Sequence, residues 1–302
     1  MYYDGNNTMK NGRQQIALVT GSSSGIGFDT SLLLARRGVY TYATMRNLSK
    51  SGNILGRAGK DNLPLKTLRL DVTDEESISE TIGNIVGEKN QIDILVNNAG
   101  YSLLGPLEDL HINEIKEEFE TNFFGVIKLI QYVLPIMRKQ RYGRIINISS
   151  LAGRIGIPLS SAYASSKFAL EGLTESLGYE VQGFGIHVAL IEPGVIKTDF
   201  VNNMKIGKDV MSKQNSNALA INDNLPYAEI TGKRISAFKP RFEKGSSPTL
   251  VAEKVFEAAM SANPKTRYLV GEDALKMMER RKNASDEDFG RMVMNSVLGR
   301  VT

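Results

Sequence analysis

Seven short apolar runs, most of them separated by helical segments, dominate the order of this sequence and restrict it to few architectures. The runs are Gln15 to Thr20, Val39 to Met45, Leu65 to Leu70, Ile92 to Val96, Arg144 to Ile148, His187 to Ile191 and Arg267 to Val270. Each has strand length. Helices are predicted at Ile26 to Arg37 with Gly38 as C-terminal cap, after Thr73-Asp74-Glu75-Glu76, from about Ile112 to Lys139, from about Ala162 to Gly183, and from Pro248 to Met260. Strands joined through such helices need right-handed crossovers, which give a parallel sheet covered on both faces. The expected fold is α/β, a single-domain, doubly wound parallel sheet with helices on both faces.

At 302 residues, 41% hydrophobic and 23% charged, the chain can bury a large core. Residues 1–13 read as a flexible tail, 14–275 as the main folded domain and 276–302 as a C-terminal extension, helical or mobile. From about Asp199 to Ser247 no period is sustained, and a connection that long inside a compact domain is expected to be a lid or binding loop. A net charge of +4, from 37 basic and 33 acidic residues, comes with no basic run, so nucleic acid is not an expected partner. The absence of cysteine excludes disulfides, thiolate metal sites and thiol catalysis. No apolar stretch reaches membrane-span length, and the opening segment MYYDGNNTMKNGR lacks a secretory signal, so the expected location is cytoplasmic. His111 and His187 match no metal spacing and read as structural.

Two constellations carry chemistry. Thr20-Gly21-Ser22-Ser23-Ser24-Gly25-Ile26-Gly27 lies between the first strand and first helix, where backbone N–H groups and the helix dipole would meet a dinucleotide pyrophosphate. Tyr163 and Lys167 stand four residues apart on a predicted helix and share a face. An ammonium beside a phenol favours the phenolate, and bringing a Tyr ~3 units down from pKa ~10 takes about 4 kcal/mol. Such a phenol exchanges protons with an alcohol or carbonyl oxygen. A tight turn and a solvated helix face are the plain alternatives.

Taken together, these motifs resemble the short-chain dehydrogenase/reductase family over nearly the whole chain, from about Gln15 to Gly271. TGxxxGxG is matched at Thr20 to Gly27, NNAG at Asn97 to Gly100, YxxxK at Tyr163 to Lys167 and PG at Pro193-Gly194. The resemblance implies a Rossmann-like domain and a catalytic set of Asn122, Ser150, Tyr163 and Lys167. Ser150 is favoured over Ser149 because the family places its serine thirteen positions before the tyrosine. It further implies that Ser150 would bind the substrate oxygen, Tyr163 would act as acid or base, and Lys167 would hold the nicotinamide ribose and keep the Tyr163 pKa low. Asn122 would hold a water linking Lys167 to solvent. Cofactor contacts are implied for Gly21, Ser23, Ser24, Gly25, Ile26, Gly27, Asp71, Val72, Asn98, Ala99, Gly100, Pro193, Gly194, Ile196 and Thr198. Asn122 as a helix-kink residue, Asp71 as a helix-start signal and a strand end at Ser149-Ser150 stay open.

At the end of the second strand, Ala43-Thr44-Met45-Arg46 offers no acid to bind ribose hydroxyls, and Arg46 can pair with a 2′-phosphate. NADP(H) is therefore the expected cofactor, with NAD(H) possible because Ser24 stands where NADP-preferring relatives often carry a basic residue. NNAGYSLLGPLE and ATMRN look more like the retinol and 17β-hydroxysteroid dehydrogenase branch than the 3-oxoacyl-carrier-protein reductases. The expected activity is interconversion of a carbonyl and a secondary alcohol on a small to medium apolar substrate, walled by Tyr101, Leu103, Leu104, Ile157, Pro158, Val195 and Phe200. A non-catalytic NADP(H) sensor or scaffold is the alternative from another class. A homodimer or homotetramer is expected through Phe119, Phe123, Phe124, Ile127, Ile130, Phe168, Leu170 and Leu173.

Overall fold

The computed structural model describes residues 9–10, 12–198, 200, 204–210, 221–222 and 225–298. Seven parallel strands form the central sheet: β1 (Ile16–Val19), β2 (Tyr40–Met45), β3 (Leu65–Arg69), β4 (Ile94–Asn97), β5 (Gly143–Ile148), β6 (Ile186–Pro193) and β7 (Arg267–Val270). Their spatial order is β3-β2-β1-β4-β5-β6-β7. The chain winds outward from β1 to one edge, then returns to start again at β4. That reversal opens a crevice at the carboxyl ends of β1 and β4, the usual ligand position in open α/β sheets.

Each strand feeds two cores because successive side chains point to opposite faces. Ile16, Leu18, Leu95 and Ile145 pack with α3 (Glu75–Lys89), α5 (Gly125–Gln140) and α6 (Ser161–Val181) through Ile78, Ile82, Leu129, Val133, Leu170 and Leu177. Ala17, Val19, Ile94, Val96 and Ile146 face the other way, toward α1 (Gly25–Arg36) and the helix Pro248–Met260 through Leu34, Val251, Val255 and Ala259. Gly38 adopts φ +84, the left-handed conformation expected of a residue that ends a helix.

Several elements depart from the sequence reading. A helix, α2 (Gly52–Lys60), follows β2, hidden from a propensity reading by Gly52, Gly56 and Gly59; burial of Ile54 and Ala58 beside Phe28, Leu32 and Met45 holds it. The long helix expected from Ile112 is α4 (Ile112–Phe119), a π-helical turn at Glu120–Phe124, then α5. Within the expected structureless loop lie a short strand, Lys205–Ile206, pairing in parallel with Leu103–Leu104, and the helix α7 (Ala228–Glu243), whose Gly232 and Pro240 obscure it in sequence. After α8 (Pro248–Met260) and β7 come α9 (Glu272–Lys282) and α10 (Asp286–Leu298), so the boundary set at residue 275 falls inside a helix. Met277, Met278, Phe289 and Val293, in the segment read as a C-terminal extension, pack with Leu151, Ile155, Ile157 and Ile230. In the segment read as a flexible tail, Met9–Lys10 pairs with Arg13–Gln14 as a short hairpin, while residues 1–8 lie outside the described residues. No described helix is long and apolar enough to cross a membrane.

Candidate active site

The crevice is a cleft of about 650 Å³. Gly21, Ser23, Ser24, Gly25 and Ile26 line one side of it. Gly21 and Gly25 have φ of +70 and +61, a conformation that L side chains rarely adopt, and a Cβ on Gly21 would lie 2.9 Å from Ala99 Cα. The first turn of α1 carries no acidic residue, so its dipole and free N–H groups suit a phosphate. Gly27 does not line the cleft: a Cβ there would meet Asn98 Nδ2 at 2.4 Å and Gly21 O at 2.5 Å, which makes it a packing glycine behind the turn. Asn98 lines the cleft and also donates from Nδ2 to the Thr20 and Gly21 carbonyls at 2.9 and 3.1 Å. Thr20 Oγ1 accepts from the Asn98 and Ala99 N–H groups at 3.0 and 2.9 Å, tying β4 to the glycine turn.

Asp71, Val72, Asn98, Ala99 and Gly100 continue the wall, and Met45, Arg46, Asn47 and Lys50 form its outer rim. Asp71 Oδ1 accepts from the Thr73 N–H and hydroxyl at 3.0 and 2.8 Å, so its carboxylate also organises the turn before α3. Met45 is buried in the cluster of Phe28 and Ile54, while Arg46 is exposed. Pro193, Gly194, Ile196 and Thr198 close the opposite side.

At the inner end stand Ser150, Tyr163 and Lys167. The Tyr163 phenol lies close enough to the Ser150 hydroxyl to be influenced by it, and Ser150 Oγ accepts from Ala152 N at 3.1 Å. Lys167 is buried and donates to the Ile148 carbonyl at 2.9 Å. Its nitrogen is 5.8 Å from the Tyr163 ring centroid. The lowered phenol pKa expected from this lysine is not what the protein's own groups give. Burial pushes Tyr163 up to about 12 against the opposing effect of the Ser150 hydroxyl, and the Glu118 carboxylate adds to the rise. Burial also pulls Lys167 down to about 8.

Asn122, 1% exposed in the π-helical turn, lies behind this wall rather than in it. Its amide grips Tyr101, accepting from Tyr101 N at 3.1 Å and donating to Tyr101 O at 2.8 Å, and it donates to Ser166 Oγ at 3.2 Å. Those bonds leave a second lone pair on its Oδ1. Ser149, the competitor of Ser150, also lines the cleft, but it is buried and its hydroxyl donates to Glu171.

A family model described as short chain dehydrogenase matches residues 15–209. This chain belongs to the short-chain dehydrogenase/reductase family. It is a NAD(P)-dependent oxidoreductase of that family. A 3-ketodihydrosphingosine reductase of Bacteroides thetaiotaomicron is 35% identical over 257 residues, 85% of this chain and 88% of that protein. Human retinol dehydrogenase 8 is 42% identical over 187 residues, 61% of this chain and 59% of that protein. Among solved structures, a short-chain dehydrogenase from Streptomyces avermitilis superposes with a TM-score of 0.77 at 27% identity, covering 93% of this chain and 98% of that one.

In this short-chain dehydrogenase, several residues escape a motif reading. Asp273, at the start of α9, accepts from Val195 N at 2.8 Å and would meet a Cβ on Gly194 at 2.3 Å, so it seats the segment after β6. Glu118 is fully buried within electrostatic reach of Tyr163 and Lys167, with Oε1 accepting from Leu103 N at 2.7 Å. A signal exists for it: Glu118 lies three residues after Ile115 and four before Asn122, on the inward stripe of α4. Glu171 receives Ser149 and Arg267, and Arg267 also donates to Glu192 at 2.8 Å, a network linking α6 to the sheet edge. Of the expected apolar wall, Tyr101, Ile157, Val195 and Phe200 line the cleft, whereas Leu103 and Leu104 are core residues beneath the Lys205–Ile206 strand and Pro158 does not line it. Leu151, Ile155, Met277 and Val293 extend that wall, and Arg234 and Arg241 bring cations from α7.

Proposed function

We propose that this enzyme interconverts a carbonyl and a secondary alcohol on a small to medium, largely apolar substrate, using NADP(H). The carrying observation is that Ser150, Tyr163 and Lys167 share the inner end of a cleft whose rim holds Arg46 and Lys50. When bound, the nicotinamide supplies or accepts the hydride. Ser150 donates a hydrogen bond to the substrate oxygen, and Tyr163 gives that oxygen its proton in reduction or removes it in oxidation. Lys167 holds the ribose hydroxyls. Gly21, Ser23, Ser24, Gly25 and Ile26 receive the diphosphate, Asp71 and Val72 the adenine, Asn98, Ala99 and Gly100 the adenosine side, and Pro193, Gly194, Ile196 and Thr198 the nicotinamide half. Relatives named as a ketodihydrosphingosine reductase and a retinol dehydrogenase support a keto group or an alcohol as the reacting function. NADPH oxidation with a panel of apolar ketones and aldehydes tests this; tight NADPH binding with no turnover across the panel would favour a sensor instead.

Cofactor choice rests on Arg46. A preference for NADP(H) of at least roughly tenfold in kcat/KM is expected, about 1.4 kcal/mol, and Arg46→Ala should remove most of it. Arg46 is the residue to change because an acid at buried Met45 would disturb the core beneath the rim. Equal efficiency of wild type with NADH and NADPH would refute the assignment.

Assembly rests on the exposed faces of the π-helical turn before α5 and of α6. Phe124 and Phe168 are 44% and 47% exposed, whereas Ile130 and Leu170, expected at the interface, are buried in the core instead. We take the exposed pair as the centre of an isologous dimer contact. Phe168→Asp should convert a dimer or tetramer into smaller species in sedimentation at micromolar concentration, and a monomeric wild type would rule the contact out.

A further inference from the structure

Glu118 is 0% exposed, yet it is an ionisable residue set behind the wall of an active site whose assigned chemistry does not use it. One oxygen accepts from Leu103 N at 2.7 Å; the other, Oε2, is buried with no hydrogen-bond partner. Asn122, one helical turn further on, grips Tyr101 in the same way, so two residues of one inward stripe hold the strip 101–103. That strip continues into Leu103–Leu104, on which Lys205–Ile206 docks. Gripping a backbone N–H needs only an acceptor. A glutamine would supply one without burying a group that can ionise, so the carboxyl itself calls for a reason.

The groups facing it supply that reason. From α6 come Tyr163 and Lys167, from the docked strand Lys205, and from the gripped strip Tyr101, all within electrostatic reach of the Glu118 carboxyl. Its acidic neighbours are engaged elsewhere: Glu117 pairs with Lys205 at 3.2 Å, and Glu114 accepts from the N–H groups of His111 and Lys208, both at 3.2 Å. We propose that Glu118 is a positioning residue of this active site, a buried proton acceptor whose negative charge, when present, retains protons on Tyr163 and Lys167. This rests on the oxidoreductase reading above and adds a residue that acts through the catalytic pair. Burial pushes the Glu118 carboxyl up to about 7, against the hydrogen bond from Leu103 and the nearby lysines, so its charge changes in the neutral range. Its balance is simple: below that range a proton sits on Glu118 and Tyr163 releases its own more readily; above it the carboxylate holds the phenol protonated.

The test is Glu118→Gln, which keeps an acceptor for Leu103 N–H and cannot ionise. For alcohol oxidation, which needs Tyr163 as proton acceptor, the activity rise with pH should begin at least about half a unit lower in the variant, roughly a threefold gain at pH 8, without the inflection near neutrality. A second arm needs no substrate. A carboxyl with a raised folded-state pKa stabilises the fold fully below its unfolded value and loses that contribution as pH rises through the folded value. The melting temperature of wild type relative to Glu118→Gln should therefore fall between about pH 4.5 and pH 7 and then level off. Superimposable rate profiles would overturn the proposal, even if the stability difference varied with pH, because Glu118 would then be a strand clamp alone. A stability difference independent of pH would overturn it too. If no alcohol or ketone turned over, the oxidoreductase reading would fail by itself, while the melting arm would still show whether Glu118 ionises; a flat result there would overturn the Glu118 proposal separately.

Discussion

Exchanging Tyr163 for Phe should lower carbonyl reduction by roughly 100-fold or more, the usual scale for losing a general acid, while folding and NADPH binding survive. The substitution removes one hydroxyl near Ser150, and the ring keeps its contact with Phe200, 6.2 Å away between centroids. A phenol pushed up to about 12 remains protonated across the neutral range, which suits donation to a developing alkoxide. In the oxidative direction the same phenol has to release its proton, so alcohol oxidation should rise with pH where reduction does not. Steady-state rates in both directions, with NADPH affinity measured separately, check this. Near-normal reduction by Tyr163→Phe would remove the proposed proton donor.

Lys167→Met should be damaging in a different way. Losing a hydrogen bond from a charged group costs about 1.5–3 kcal/mol, which corresponds to roughly 10- to 150-fold weaker NADPH binding if Lys167 holds the ribose. Turnover should fall as well, because the buried Ile148 carbonyl loses its donor beside Ser150. Burial draws Lys167 down to about 8, so its cation is present below that pH and lost above it. Wild-type NADPH affinity should accordingly weaken above about pH 8, and the variant should lack that step. Isothermal titration across pH decides the matter: unchanged affinity in Lys167→Met would mean that the lysine serves only the backbone.

The alternation of strands and helices was legible because two-residue and 3.6-residue periods survive in the order of apolar residues. The glycine turn was legible for a similar reason, since Gly21 and Gly25 take conformations other residues avoid. What escaped depends on packing. α2 holds three glycines and exists because Ile54 and Ala58 are buried, and α7 contains Gly232 and Pro240. Leu103 and Leu104 looked like pocket walls until the Lys205–Ile206 strand placed them in the core. Motif spacing located Tyr163 and Lys167 but could not weigh desolvation, which reverses the expected direction for the phenol. The same limit hid Glu118 and Asp273, whose roles come from neighbours distant in sequence.

The proposed chemistry is direct hydride transfer from NADPH to a carbonyl carbon at the inner end of the cleft, with Tyr163 as the proton source. Stereospecifically labelled [4-²H]NADPH, incubated with an apolar ketone that supports turnover, tests it most directly. Deuterium should appear at the carbinol carbon of the alcohol product from one of the two labelled faces of the cofactor, and the hydroxyl proton should come from solvent. Oxidation of NADPH with no label in an alcohol, or no consumption of bound NADPH with any carbonyl compound, would contradict the account.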